Sequence, residues 1–122
     1  MIFMGSQILV VDDEPDVLES FQMYLEFAGH DVITASDGKQ GLAMYKKYNP
    51  CMVFSDVKMP NMDGYELFSN IIKFDSKAKM LLVTGYETIK KSRIALELGL
   101  LEVIEKPIEP NVLTDKIKEH SC

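Results

Sequence analysis

Val53-Phe54-Ser55-Asp56-Val57-Lys58-Met59-Pro60-Asn61-Met62-Asp63-Gly64 is the stretch on which the fold turns. An apolar run breaks at an acid and then passes through Pro60, Asn61, Asp63 and Gly64. A short apolar run bounded by turn residues reads as a buried strand entering a loop. Asp56 therefore stands where a buried strand meets solvent. In parallel α/β sheets ligands bind at that carboxyl edge. A carboxylate there is costly unless a positive or hydrogen-bonding group meets it.

The same pattern recurs on both sides. Ile8-Leu9-Val10-Val11 is a continuous apolar run that ends at Asp12-Asp13-Glu14-Pro15. Pro15 suits a first helical turn, and Val17, Leu18, Phe21, Tyr24, Leu25 and Ala28 follow at helical spacing. Gly29 is the expected stop. Val32 to Ala35 is a second strand, Asp37-Gly38 a turn, and Leu42, Ala43 and Tyr45 mark a short helix that ends before Pro50. After the third strand, Leu67, Phe68, Ile71 and Ile72 carry another helix. Met80 to Val83 is a fourth strand ending at Thr84-Gly85. Ile89, Ile94, Ala95 and Leu98 suggest a helix stopped by Gly99. Val103-Ile104 leads into Glu105-Lys106-Pro107, and a last helix runs from about Pro110 through Ile117.

Strands that are apolar throughout are covered on both faces, and alternating strand–helix units give a parallel sheet with right-handed crossovers. Five such units predict an α/β fold. It is a three-layer (βα)5, doubly wound, flavodoxin-like sheet of strand order 2-1-3-4-5.

The 122 residues suit one domain, 1–122, with a full core. An apolar share of 47% and a charged share of 26% are ordinary for a soluble globule. The net charge of −6 argues against direct nucleic-acid binding. The start lacks a basic region and a cleavage site, so neither a signal peptide nor a membrane span is read, and the expected location is cytoplasmic. Cys51 and Cys122 have no metal spacing and are expected to be free thiols. His30 and His120 are expected to be solvent-exposed. The eight methionines are read as core filler and loop residues.

In the predicted order the strand ends bring Asp12, Asp13 and Asp56 together, with Thr84 and Lys106 beside them. Three crowded carboxylates need compensation. Hard oxygen ligands suit Mg²⁺, and Lys106 adds a mobile point charge. A metal, an ammonium and a hydroxyl aimed at one carboxylate would stabilise an arriving phosphoryl group. An aspartate can accept it as a nucleophile.

With these residues in place the chain resembles the receiver domain of two-component response regulators, from about Gln7 to His120. The resemblance rests on Val10-Val11-Asp12-Asp13-Glu14, on Asp56 through Gly64, on Thr84 after an apolar strand, and on Lys106-Pro107. It implies that Asp56 is the phosphoacceptor. It implies a Mg²⁺ site (Mn²⁺ in its place) from Asp12, Asp13, Asp56 and the Lys58 backbone carbonyl. Lys106 would bind phosphate, Thr84 would move onto the phosphoryl group, and the bond before Pro107 would be cis. The donor would be a sensor histidine kinase, a histidine phosphotransfer protein or a small phosphodonor. The chain would not be a turnover enzyme. Downstream partners would meet the fourth helix, with Lys90, Lys91 and Arg93, and the fifth strand and helix.

Two positions depart from the family pattern, and two more bear on the phosphoryl lifetime. Val103 replaces the usual aromatic three residues before the lysine, so readout is expected to rely on Thr84 and movement of the loop and helix after it, or to be weaker at that surface. Leu100 stands where a small residue is usual, which suggests altered packing. Lys58 and Tyr86 lie two residues after Asp56 and Thr84 and are expected to lengthen the phosphoryl lifetime.

Blander readings exist for each part. Asp12 and Asp13 could cap the first helix, Lys106 could be a surface lysine, and Thr84 a strand-end hydroxyl. Asp63 would serve the turn, and Lys90, Lys91 and Arg93 would form a solvated face. Two other functions compete: a receiver-fold binding module that works without phosphorylation, and an aspartyl-phosphate phosphatase. Lys58 stands where such a phosphatase usually has a second acid. No output domain is read after Pro110. The chain reads as a single-domain regulator, or as a receiver cut from a hybrid kinase or longer regulator.

Overall fold

A computed structural model describes residues 6–85 and 89–122. The elements alternate as the sequence pattern predicts. They are β1 (Gln7–Val11), α1 (Pro15–Phe27), β2 (Asp31–Ala35), α2 (Gly38–Tyr48), β3 (Met52–Asp56), α3 (Gly64–Phe74), β4 (Met80–Thr84), α4 (Ile89–Glu97), β5 (Glu102–Glu105) and α5 (Pro110–Glu119). All five strands are parallel in the order β2-β1-β3-β4-β5.

The apolar runs are continuous because successive side chains serve opposite faces. Leu9, Val11, Val53 and Leu82 pack with Tyr45 of α2, Leu67, Phe68 and Ile71 of α3, and Ala95 of α4. Ile8, Val10, Phe54 and Leu81 pack with Leu25 of α1 and with Leu113 and Ile117 of α5. Each fully buried side chain of this size contributes roughly 1.5–3 kcal/mol. The edge strands β2 and β5 are only half-buried, whereas β3 and β4 are buried throughout.

The helices on either side of β4 are held differently. Asp63 caps α3, its carboxylate accepting from the Glu66 N–H at 2.9 Å, and Leu67, Phe68 and Ile71 are buried. Among the described side chains of α4, the buried ones are Ser92 and Ala95. Ile94, Leu96 and Leu98 are 50%, 44% and 58% exposed, so two of the residues that suggest the helix do not bury it. Ser92 and Ala95 lie three apart and share a face. Ile94 and Leu98 share another, since side chains four apart stack on one side. Leu100, 3% exposed, enters the core beside Ala95, and its N–H donates to the Ala95 carbonyl.

Two expectations fail at the amino edge of the sheet. Cys51 and Cys122 are not free thiols but a disulfide, with Cα atoms 6.0 Å apart. They lie 71 positions apart in the chain. Parallel topology brings the start of β3 and the end of α5 to the same edge, which spacing alone does not reveal. His120 is not solvated and unpaired. Half-buried beside β5, its Nε2 lies 2.8 Å from Glu102 Oε2. His30 is also half-buried, at the start of β2.

Candidate functional site

Asp12 and Asp13 follow β1, Asp56 ends β3, Thr84 ends β4, and Lys106 follows β5. Because β1, β3, β4 and β5 are consecutive neighbours, these five residues meet at one carboxyl edge. Carboxylate oxygens of Asp12, Asp13 and Asp56 lie within 4.8 Å of one another. Asp12 is 3% exposed and Asp56 7%, while Asp13 is exposed. Asp13, Asp56, Lys58, Thr84 and Lys106 line one open cleft.

Lys106 is the cation that meets the acids. Its Nζ lies 3.3 Å from Asp56 Oδ1 and 3.7 Å from Asp12 Oδ2. Burial alone would lower its pKa, but the Asp56 and Asp12 carboxylates outweigh burial and hold the ammonium above its ordinary value. Its position is set by main chain, since the Lys106 N–H donates to the Thr84 carbonyl at 2.8 Å. The Lys106–Pro107 peptide bond is cis.

Asp12 is the perturbed acid. Burial pushes its pKa up. The Glu14 N–H, donating to Asp12 Oδ1 at 2.9 Å, pulls it back, and Asp56 pushes it up again. Asp12 thus supports the entry to α1, but it sits beneath the cleft in contact with Lys106. A plain cap would not need that burial.

The loop after Asp56 is fixed from both sides. The Val57 N–H donates to the Val83 carbonyl at 3.1 Å, and the Gly64 N–H to the Val57 carbonyl at 2.8 Å. A Cβ on Gly64 would come 2.5 Å from the Asp56 carbonyl oxygen and 2.9 Å from Val57 Cα. Glycine at this position is what lets α3 start directly against the end of β3. Lys91 of α4 reaches Asp63 at 3.8 Å and bridges the two helices across the cleft. Neither the closeness at Gly64 nor this bridge has a signal in the sequence, because both arise from tertiary placement. Lys90 and Arg93 are exposed. Val103, half-buried in register with Leu82, packs against the α2–α3 side of the core. Tyr86 lies outside the described residues.

A second cluster, Glu102, Glu119 and His120, lies at the opposite edge. The Lys116 ammonium stands 2.7 Å from Glu102 Oε1 and 3.2 Å from Glu119 Oε2, so this group is an ion-pair network closed by its own cation.

The response regulator receiver domain model matches residues 8–118. The chain belongs to that family. It is 33% identical over 112 residues to a probable transcriptional regulator, ycf27, of Porphyridium aerugineum, covering 92% of this chain and 46% of that protein. It is 33% identical over 115 residues to the alkaline phosphatase synthesis transcriptional regulatory protein PhoP of Bacillus subtilis, covering 94% and 48%. The chain thus spans about half the length of the curated relatives it matches. A CheY-like receiver domain protein from Methanospirillum hungatei superposes with a TM-score of 0.89 at 36% identity, covering 94% of this chain and 92% of that one. A chain of the CheX-CheY-BeF3-Mg complex from Borrelia burgdorferi gives 0.87 at 27% identity, covering 98% and 92%. Receiver domains are the phosphorylation-dependent signalling modules of two-component systems, and they interact with histidine kinases and downstream effectors.

Proposed function

We propose that this receiver accepts a phosphoryl group on Asp56 and acts as a switch. A carboxylate oxygen of Asp56 attacks phosphorus, the P–N bond of a partner's phosphohistidine breaks, and the histidine nitrogen leaves with the electron pair. The observation that carries this reading is Lys106 Nζ at 3.3 Å from Asp56 Oδ1, inside a cluster of three carboxylates. An ammonium aimed at the acceptor can follow the charge as it passes to the phosphoryl oxygens.

The donor set fits a hard divalent cation. Asp12, Asp13, Asp56 and the Lys58 backbone carbonyl would hold Mg²⁺, or Mn²⁺ in its place. Bound there, the ion would neutralise charge on the phosphoryl oxygens. The similar chain from Borrelia burgdorferi belongs to a complex that contains Mg, which is in keeping with a divalent cation here. Thr84, buried at the end of β4, would donate its hydroxyl to the phosphoryl group. With valine at 103, the readout would pass through Thr84 and the weakly buried α4. Lys58 and Tyr86 would tune the lifetime by obstructing the water. The donor would be a sensor histidine kinase or histidine phosphotransfer protein. The downstream partner would meet α4, with Lys90, Lys91 and Arg93, together with β5 and α5. The chain would form one receiver domain over 1–122, work in the cytoplasm and turn over no external substrate. Among the described residues no helix is long and apolar enough to cross a membrane.

The test is incubation with Mg²⁺ and acetyl phosphate, followed by the intact mass of wild type and Asp56→Asn. An adduct present in wild type and lost in the variant is expected. No adduct would favour the phosphorylation-independent binding module, and rapid turnover of phosphomonoesters the phosphatase.

A further inference from the structure

We propose that Cys51 and Cys122 are a reversible redox-modification site. It reacts with a low-molecular-weight disulfide and locks the far end of α5 to the base of β3. The bond joins residues 71 positions apart, and both are half-buried, within reach of a small thiol or disulfide. Main-chain contacts hold each cysteine in place apart from the bond itself. The Cys51 N–H donates to the Gln7 carbonyl at 2.8 Å. The Cys122 N–H donates to the Ile117 carbonyl at 2.9 Å, and its own carbonyl accepts from the Ser6 hydroxyl. Lys79 Nζ donates to the His120 carbonyl at 2.8 Å. Reduction therefore leaves the two sulfurs facing each other, ready to close again.

The placement gives the bond a consequence. Cys51 precedes β3, and Asp56 ends it. Lys106 precedes α5, and Cys122 follows it. The same two segments are tied at one end by the Lys106–Asp56 ion pair and at the other by the disulfide. Redox state and the chemistry at Asp56 thus act on one helix against one strand.

Closure is thiol–disulfide exchange. A cysteine thiolate attacks a sulfur of the small disulfide, whose S–S bond breaks, and one small thiolate leaves. The second cysteine thiolate attacks the mixed disulfide, the protein S–S bond forms, and a second small thiolate leaves. Two protons are lost from the protein, and its two electrons reside on the two released thiols. Reversibility rests on the proposed cytoplasmic location, where disulfides are usually transient.

The test is equilibration of the full chain in glutathione buffers from reduced to oxidised, a quench with N-ethylmaleimide, and intact mass. One transition is expected, between a doubly labelled form and an unlabelled form two hydrogens lighter. The oxidised form should melt about 10 °C higher. The last amides of α5 should exchange about tenfold more slowly in it. Cys51→Ser and Cys122→Ser should each lose any dependence of melting on dithiothreitol. Double labelling in every buffer, persistent glutathione adducts, or a bond that survives excess dithiothreitol would each overturn reversibility. Equal α5 exchange in the two forms would overturn the lock. The titration needs no phosphoryl group, so its outcome is independent of the acetyl phosphate experiment.

Discussion

The two edges of the sheet treat charge in opposite ways. At the amino edge the described cluster of charges around α5 is paired within itself. Glu102 meets Lys116 and His120, Lys79 meets the carbonyls that close α5, and Cys51 is bonded to Cys122. At the carboxyl edge three carboxylates crowd within 4.8 Å, and Lys106 meets two of them. One edge is stitched, while the other carries unbalanced negative charge over an open cleft. A parallel sheet makes this division natural, because the helix-leading loops that carry ligands all leave from one edge.

Damage at the stitched edge should cost stability and spare the chemistry. Ile117, 1% exposed in α5, is the sharpest probe. Ile117→Ala should cost about 3–4 kcal/mol in urea unfolding. The folded fraction should still accept a phosphoryl group from acetyl phosphate at the wild-type rate. Loss of labelling in folded protein would break the division between the edges. Gly64→Ala should do the reverse in kind. Its Cβ would press on the Asp56 carbonyl, at a cost of about 2–3 kcal/mol. Labelling of the folded fraction should slow with it. Wild-type labelling would mean that the loop yields without moving Asp56.

The carboxyl edge was far more legible in the sequence than the amino edge. Asp12, Asp13, Asp56, Thr84 and Lys106 each end an apolar run, so chain order and strand order together bring them into one cleft. The fold is read the same way, since apolar runs alternating with helical patterns point to a parallel sheet, although only β3 and β4 are buried throughout. The stitches have no such marker. Cys51 and Cys122, or Glu102 and His120, meet because helices return to the sheet's amino edge, and no local spacing encodes that return. The orientation of α4 was hidden for a related reason. Its described buried side chains, Ser92 and Ala95, are small and partly polar, whereas Ile94 and Leu98, which also suggest the helix, face outward.

Removing one charge at the crowded edge should stabilise the protein. Burial raises the Asp12 pKa above its ordinary 3.8, against the pull of the Glu14 N–H, and Asp56 adds to the rise. A group with a raised folded pKa contributes stability below its unfolded value and loses it as pH rises through the folded one. At neutral pH without Mg²⁺, ionised Asp12 therefore costs stability that asparagine would not. Asp12→Asn should melt a few degrees higher than wild type there, and the gap should close on acidification. A variant that melts lower at neutral pH would show that Lys106 already balances the cluster.

The smallest effect belongs to the stitched edge and has the opposite sign. Burial alone would raise the Glu102 pKa. The hydrogen bonds from Lys116 and His120 outweigh it and hold the carboxyl below its ordinary 4.5. A group with a depressed folded pKa contributes stability above its unfolded value and loses it as pH falls through the folded one. Glu102 is 29% exposed, so solvent screens the pair and Glu102→Gln should cost less than about 1 kcal/mol at neutral pH. That cost should shrink as pH falls below the ordinary carboxylate range, where wild type gives up the same contribution. Urea midpoints across that range read it directly. The Asp12 and Glu102 variants should thus approach wild type from opposite sides on acidification. If both approach from the same side, the two edges do not differ in how they balance charge.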